Sequence, residues 1–111
     1  MIAIIDYGLG NSGSIRNMLK KIGVESSITA DEAVIRSADK LIIPGVGAFD
    51  EGMKQIESLK LKPLLDELVL EQKVPVLGIC LGMQLFCKSS EEGVRPGLGW
   101  IDAECRRFRL D

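Results

Sequence analysis

The chain reads as an α/β protein built on a parallel sheet. Apolar runs of strand length recur at residues 2–5, about 24–29, 40–43 and 74–79, and helical patterns fall between them. Strands that alternate with helices imply βαβ units, because parallel neighbours need a crossover between them. A second observation agrees: glycine-rich segments follow the first, third and fourth runs, and loops after parallel strands gather at one edge of the sheet.

Taken in order, the first strand is residues 2–5, in an opening apolar run, Met1-Ile-Ala-Ile-Ile5, that is too short for a signal peptide or membrane span and stops at Asp6. Ile15, Met18, Leu19 and Ile22 then stand at i, i+3, i+4 and i+7, one apolar face of a helix. Asn11 or Ser12 can cap its start and Gly23 its end. Phe49, Met53, Ile56 and Leu59 form a second stripe before Pro63, which opens a new helix through Leu64, Leu65 and Leu68. After the fourth run a short helix spans about residues 82–87. Ser89 to Gly93 and Pro96 to Gly99 read as loops, and Trp100 to Leu110 as one further strand. No repeat, linker or low-complexity tract marks a second domain.

At 111 residues the chain is one domain at most, long enough for a core. Its 46% hydrophobic and 27% charged residues exclude disorder, and a net charge of -2 points neither to nucleic acid nor to an anionic membrane. The basic cluster Arg106-Arg-Phe-Arg109 reads as a solvated strand face. Three cysteines, Cys80, Cys87 and Cys105, lack C-x-x-C spacing, which argues against a zinc site or a disulfide framework. With no secretory leader, the expected setting is the reducing cytoplasm, and no metal or cofactor is expected.

The chemistry concentrates at Val74-Pro-Val-Leu-Gly-Ile-Cys80-Leu-Gly-Met-Gln84. Gly78 and Gly82, two positions either side of Cys80, allow a strand and a helix to pack around a sharp turn, the layout of a nucleophile elbow. Such a turn pushes the thiol outward and leaves the Leu81 N–H beside it as an oxyanion donor. A free thiol with a pKa of about 8.5 is only slightly ionised near neutrality, and thiol enzymes usually need an adjacent base. The chain contains no histidine, so it carries half of such an apparatus.

Two further loops belong to the same edge. Pro44-Gly-Val-Gly47 can turn the Gly45 to Val46 peptide so that an N–H faces a developing oxyanion, or it can simply reverse the chain. Gly8-Leu-Gly10-Asn-Ser-Gly13 matches the dinucleotide fingerprint G-x-G-x-x-G, with Asp31 about 20 residues on. Asp6 and Tyr7 count against that reading, because they place a carboxylate and a bulky ring where a pyrophosphate would approach.

Asp6-Tyr-Gly8 with Gly10-Asn11, Pro44-Gly-Val-Gly-Ala-Phe-Asp50 and Gly78-Ile-Cys-Leu-Gly-Met-Gln84 together resemble the class I glutamine amidotransferases. Within them the chain looks like the glutaminase subunits that serve imidazole glycerol phosphate synthesis in histidine biosynthesis. The resemblance implies a flavodoxin-like doubly wound sheet in which Cys80 attacks the glutamine carboxamide, gives a thioester and releases ammonia. It implies an oxyanion hole from Leu81 and the Gly45–Val46 peptide, glutamine binding by Gln84 and Glu92, and a partner interface at Asn11. A carboxylate at Glu92 suits an α-ammonium group. The implied partner is a (β/α)₈-barrel cyclase that receives the ammonia.

Members of that family are about twice as long, and a His-x-Glu pair in the other half completes their triad. The chain is therefore expected to be an N-terminal part of one amidotransferase domain, inactive alone, with apolar faces left open for self-association. Three rival readings stand beside this one. The first is a related subunit feeding a sugar-amidinating enzyme of surface polysaccharide synthesis, suggested by Trp100. The others are a dinucleotide-binding module and a cysteine hydrolase of the DJ-1 type, in which a histidine commonly follows the nucleophile where Leu81 stands here.

Overall fold

A computed structural model describes residues 1–108. Four parallel strands form the sheet: β1 (Ile2–Ile5), β2 (Ser26–Thr29), β3 (Lys40–Ile43) and β4 (Val76–Gly78), in the order β2-β1-β3-β4. Ala3 lies opposite Ser27 and Leu41, and Leu41 opposite Val76. Because side chains alternate along a strand, Ala3, Ile5, Leu41 and Ile43 share one face. That face is sealed by Ile35 of α2 (Glu32–Ser37), by Phe49, Met53 and Ile56 of α3 (Phe49–Ser58) and by Leu64 and Leu65 of α4 (Lys62–Asp66).

The other face carries α1 (Ser12–Lys21), and it is only partly covered. Leu19 reaches a cavity of about 250 Å³ shared with Ile2, Ile42 and Leu77. Yet Met18 is 60% exposed, Ile22 69% and Leu77 57%. The apolar stripe of α1 is thus present as predicted but buries none of its residues completely.

Capping follows the local chemistry. The Asn11 side chain accepts from the Ser14 N–H at 3.2 Å, so of the two candidate caps it is Asn11 that serves. At the far end Gly23 has φ +79°, Gly23 N–H donates to Lys20 and Val24 N–H to Leu19. This Schellman arrangement uses Val24 to close the helix, which is why β2 begins at Ser26 rather than at 24. Pro63 sits in the first turn of α4 as expected, but the helix then widens into a π turn over Glu67–Glu71, closed by Gln72 N–H on the Glu67 carbonyl.

Two expectations need correction downstream of β4. The helix after Cys80, α5, covers only Leu81–Gln84. Its continuation is stopped by tertiary competition: Leu98 and Ile101 donate to the Leu85 and Phe86 carbonyls that a longer helix would use. The tail is not one long strand. Ser89–Ser90, read as loop, forms a two-residue strand β5 that pairs in parallel with β6 (Glu104–Cys105), and residues 100–103 turn. Residues 109 and 110 of the expected strand, and Arg109 of the basic cluster, lie outside the described residues.

Candidate active site at the Cys80 elbow

Cys80 has φ 54° and ψ -117°, a conformation that L-residues avoid, and it is exposed. Its position is over-determined by the two glycines flanking it. A Cβ on Gly82 would collide with the Ile43 carbonyl oxygen of β3, and one on Gly78 would lie 2.6 Å from Met83 Cα and 2.8 Å from Phe86 Cζ. Strand, turn and helix therefore approach more closely than any side chain permits, and the strained residue between them is held outward.

The Pro44–Gly47 loop packs directly against this elbow. A Cβ on Gly45 would stand 2.8 Å from both Gly82 N and Leu81 Cβ and would overlap the Tyr7 hydroxyl. In the observed conformation the Leu81 N–H donates to the Gly45 carbonyl oxygen at 3.2 Å. The two groups expected to form an oxyanion hole are thus adjacent, but they are bonded to each other. Since the Gly45 carbonyl and the Val46 N–H point opposite ways from one planar peptide, that N–H faces away from Leu81. Val46 is 67% exposed and Gly47 has φ +126°, so the outer side of the loop is unpacked.

Gln84 follows Cys80 by one helical turn, its N–H donating to the Cys80 carbonyl at 3.2 Å. Gln84 and Glu92 line one small cavity of about 50 Å³ with Ser90, Cys105 and Arg106, so the structure brings these two predicted residues together. Glu92 is exposed and lies 3.7 Å from the Arg107 guanidinium. Its loop is held by Asp50, whose carboxylate accepts from Val94 N–H at 3.0 Å and Arg95 N–H at 2.9 Å. Those bonds, Val94 first, keep the Asp50 carboxyl below its ordinary pKa. Burial pushes the Cys105 thiol up to about 11, with a bond to Cys87 adding to the effect.

Sequence reasoning missed Asp50 and Tyr7. Asp50 lies in a quoted motif, but its partners stand 44 and 45 residues away, and no local pattern announces them. Tyr7 also lies in a quoted motif, and from sequence its ring counts against a pyrophosphate site without announcing a partner. In the structure it is buried, and its hydroxyl donates to the Pro44 carbonyl.

The glycine fingerprint has a different explanation from a dinucleotide. Asp31, its acidic member, caps α2 by accepting from Ala33 and Val34 N–H. Gly13 has open space where a Cβ would go, so helix and strand do not meet there as the third fingerprint glycine requires. Gly10 is needed because a Cβ would come within 2.8 Å of Gly45 N. The first loop is shaped to receive the Pro44–Gly47 loop. Among the described residues no acidic, cysteine or histidine group is arranged to hold a metal, and no helix is long and apolar enough to cross a membrane.

A parallel α/β sheet with a strained, glycine-flanked cysteine at the carboxyl end of a strand has the geometry of a nucleophile elbow. The sequence profile of class I glutamine amidotransferases matches residues 3–104, and the chain belongs to that family. It is 54% identical, over 99% of its length, to imidazole glycerol phosphate synthase subunit HisH 2 of Methanococcus maripaludis, and covers 54% of that protein. With subunit HisH of Bdellovibrio bacteriovorus it shares 48% identity, over 98% of this chain and 53% of that one. A crystal structure of a glutamine amidotransferase superposes with a TM-score of 0.78 over 96% of this chain and 57% of its own, at 21% identity, a likeness of fold. The chain spans about half the length of the curated relatives it matches.

Proposed function

We propose that the chain is the nucleophile-bearing part of a glutaminase subunit that supplies ammonia for imidazole glycerol phosphate synthesis. The observation that carries this reading is the exposed Cys80 at φ 54°, on an elbow whose Leu81 and Gly82 lie against Gly45. Cys80 Sγ attacks the carboxamide carbon of glutamine, the C–N bond breaks, ammonia leaves, and water later hydrolyses the thioester. The Leu81 N–H faces the developing oxyanion once the Gly45–Val46 peptide has rotated. That rotation gives up one hydrogen bond, worth on the order of 1 kcal/mol net, so the resting orientation is favoured about fivefold until substrate or partner compensates.

Gln84 and Glu92 hold the amino-acid end of glutamine, with the Glu92 carboxylate on the α-ammonium. Asn11, exposed at the same edge, meets a (β/α)₈-barrel cyclase. The chain has no histidine, so the base that makes the thiolate and protonates the leaving ammonia comes from outside it, and the chain alone turns over no glutamine above background. The uncovered sheet face around Leu77 favours self-association. Trp100, the residue behind the sugar-amidinating alternative, is accounted for by packing: Nε1 donates to Asp66 at 2.7 Å and the ring lies 5.0 Å from Phe86.

The test is a chimera joining residues 1–111 to the part of the Methanococcus maripaludis relative that this chain does not cover. Glutamine turnover that vanishes on Cys80→Ser is expected from the chimera, and none from the 111-residue chain. A folded chimera without Cys80-dependent turnover overturns the reading.

A further inference from the structure

Tyr7 stands between β1 and the first glycine loop, 1% exposed, and is the single tyrosine of the chain. A phenylalanine would fill the same space, so a buried hydroxyl there requires a partner to offset its lost hydration. The partner is the Pro44 carbonyl, 37 residues away and one residue beyond the end of β3, where no sheet bond is available to that oxygen. Burial pushes the phenol well above its ordinary pKa, so it remains a donor across the physiological range.

The surroundings make the contact directional. Gly45 is enclosed at its Cα, where a Cβ would meet the Tyr7 hydroxyl, Gly82 N and Leu81 Cβ, and at its nitrogen, which a Cβ on Gly10 would approach to 2.8 Å. On its carboxyl side Val46 and Gly47 are exposed. Rotation is thereby confined to the Gly45–Val46 peptide, the one whose carbonyl occupies the Leu81 N–H.

We propose that Tyr7 is a positioning residue: through the Pro44 carbonyl its hydroxyl fixes the Pro44–Gly45 peptide as a pivot and holds the Gly45 carbonyl on the Leu81 N–H. This rests on the thioester reading, which gives the Leu81 N–H a catalytic task that the bond to Gly45 withholds. Tyr7 touches no reacting atom and acts through the loop.

The experiment is amide hydrogen exchange by NMR on the 111-residue chain in three forms: unmodified, Tyr7→Phe, and labelled with 3-fluorotyrosine, which enters only at position 7 and donates more strongly. Leu81 exchange is expected to rise about threefold in Tyr7→Phe and to slow about twofold with fluorotyrosine, while Ile4 and Ile42 amides of the sheet stay unchanged. Equal Leu81 exchange in all three proteins overturns the proposal, as does a change shared equally by the sheet amides. Should Tyr7→Phe fail to fold, the fluorotyrosine protein decides alone. The readout needs neither glutamine nor turnover. A Leu81 amide that follows Tyr7 beside a chimera that turns over no glutamine ends the thioester reading and keeps the pivot. An active chimera with an indifferent Leu81 amide does the reverse.

Discussion

The Leu81 N–H and the Gly45 carbonyl oxygen are hydrogen-bonded to each other at 3.2 Å, which places the nucleophile elbow and the loop after β3 in a mutually satisfied resting state. A donor meant for a transient oxyanion would otherwise be buried without a partner, since Leu81 is 3% exposed. The loop supplies that partner, and for the activity proposed above it must also withdraw it.

Close packing at the elbow predicts a contrast between two glycines. Gly82→Ala drives a Cβ into the Ile43 carbonyl oxygen, backbone against backbone, and is expected to lower unfolding free energy by about 3 kcal/mol. Gly13→Ala, in α1 with open space around it, is expected to raise it by about 0.5–1 kcal/mol through helix propensity. Urea denaturation reads both, and equal effects would refute the packing account.

Cys80 stores backbone strain. Relief of φ 54° by Cys80→Gly is expected to stabilise the fold by about 1 kcal/mol, the strain of roughly 1–3 kcal/mol less the entropy glycine adds to the unfolded chain. Cys80→Ala keeps the strain and gains nothing comparable. A denaturation midpoint for Cys80→Gly at or below that of Cys80→Ala would show that the turn is not strained.

Asp50 gives an acid-side signature. Its folded pKa is depressed, so its stabilisation is complete above the unfolded value near 3.9 and is lost as pH falls through the lower folded value. Asp39, Glu67 and Asp102 are depressed too and slope the same way. The difference between the chain and Asp50→Asn isolates Asp50: the gap in stability is expected to narrow as pH falls below about 4. A gap that stays constant over that range would mean that the Val94 and Arg95 N–H groups do not hold the carboxylate.

The uncovered sheet face predicts association. Leu77 is 57% exposed beside Ile2 and Ile42, and the chain is expected to elute above its monomer mass, with Leu77→Lys shifting it toward monomer. Sedimentation velocity over a concentration series checks this. A monomer at every concentration would remove self-association from the account.

Much of the fold was legible because its signals are local. The four apolar runs became β1 to β4 within two residues, Asn11 and Gly23 ended α1 as their chemistry dictates, and Pro63 opened α4. The elbow was legible because glycines on both sides of one cysteine admit few other uses. What failed was set by distant partners. The length of α5 was decided by N–H groups of Leu98 and Ile101, and the strand at Ser89 by a pairing with Glu104.

Sequence by itself determined the α/β class, the strand and helix order, and the cysteine to which chemistry is assigned, since apolar period and glycine spacing act within a few residues. Tertiary structure alone decided that the Leu81 donor is occupied by Gly45, that Tyr7 grips Pro44 and that Asp50 anchors the loop of Glu92. The physical reason is that a hydrogen bond between loops depends on which carbonyl faces which donor after the sheet has assembled, and a peptide's orientation leaves no trace in residue type.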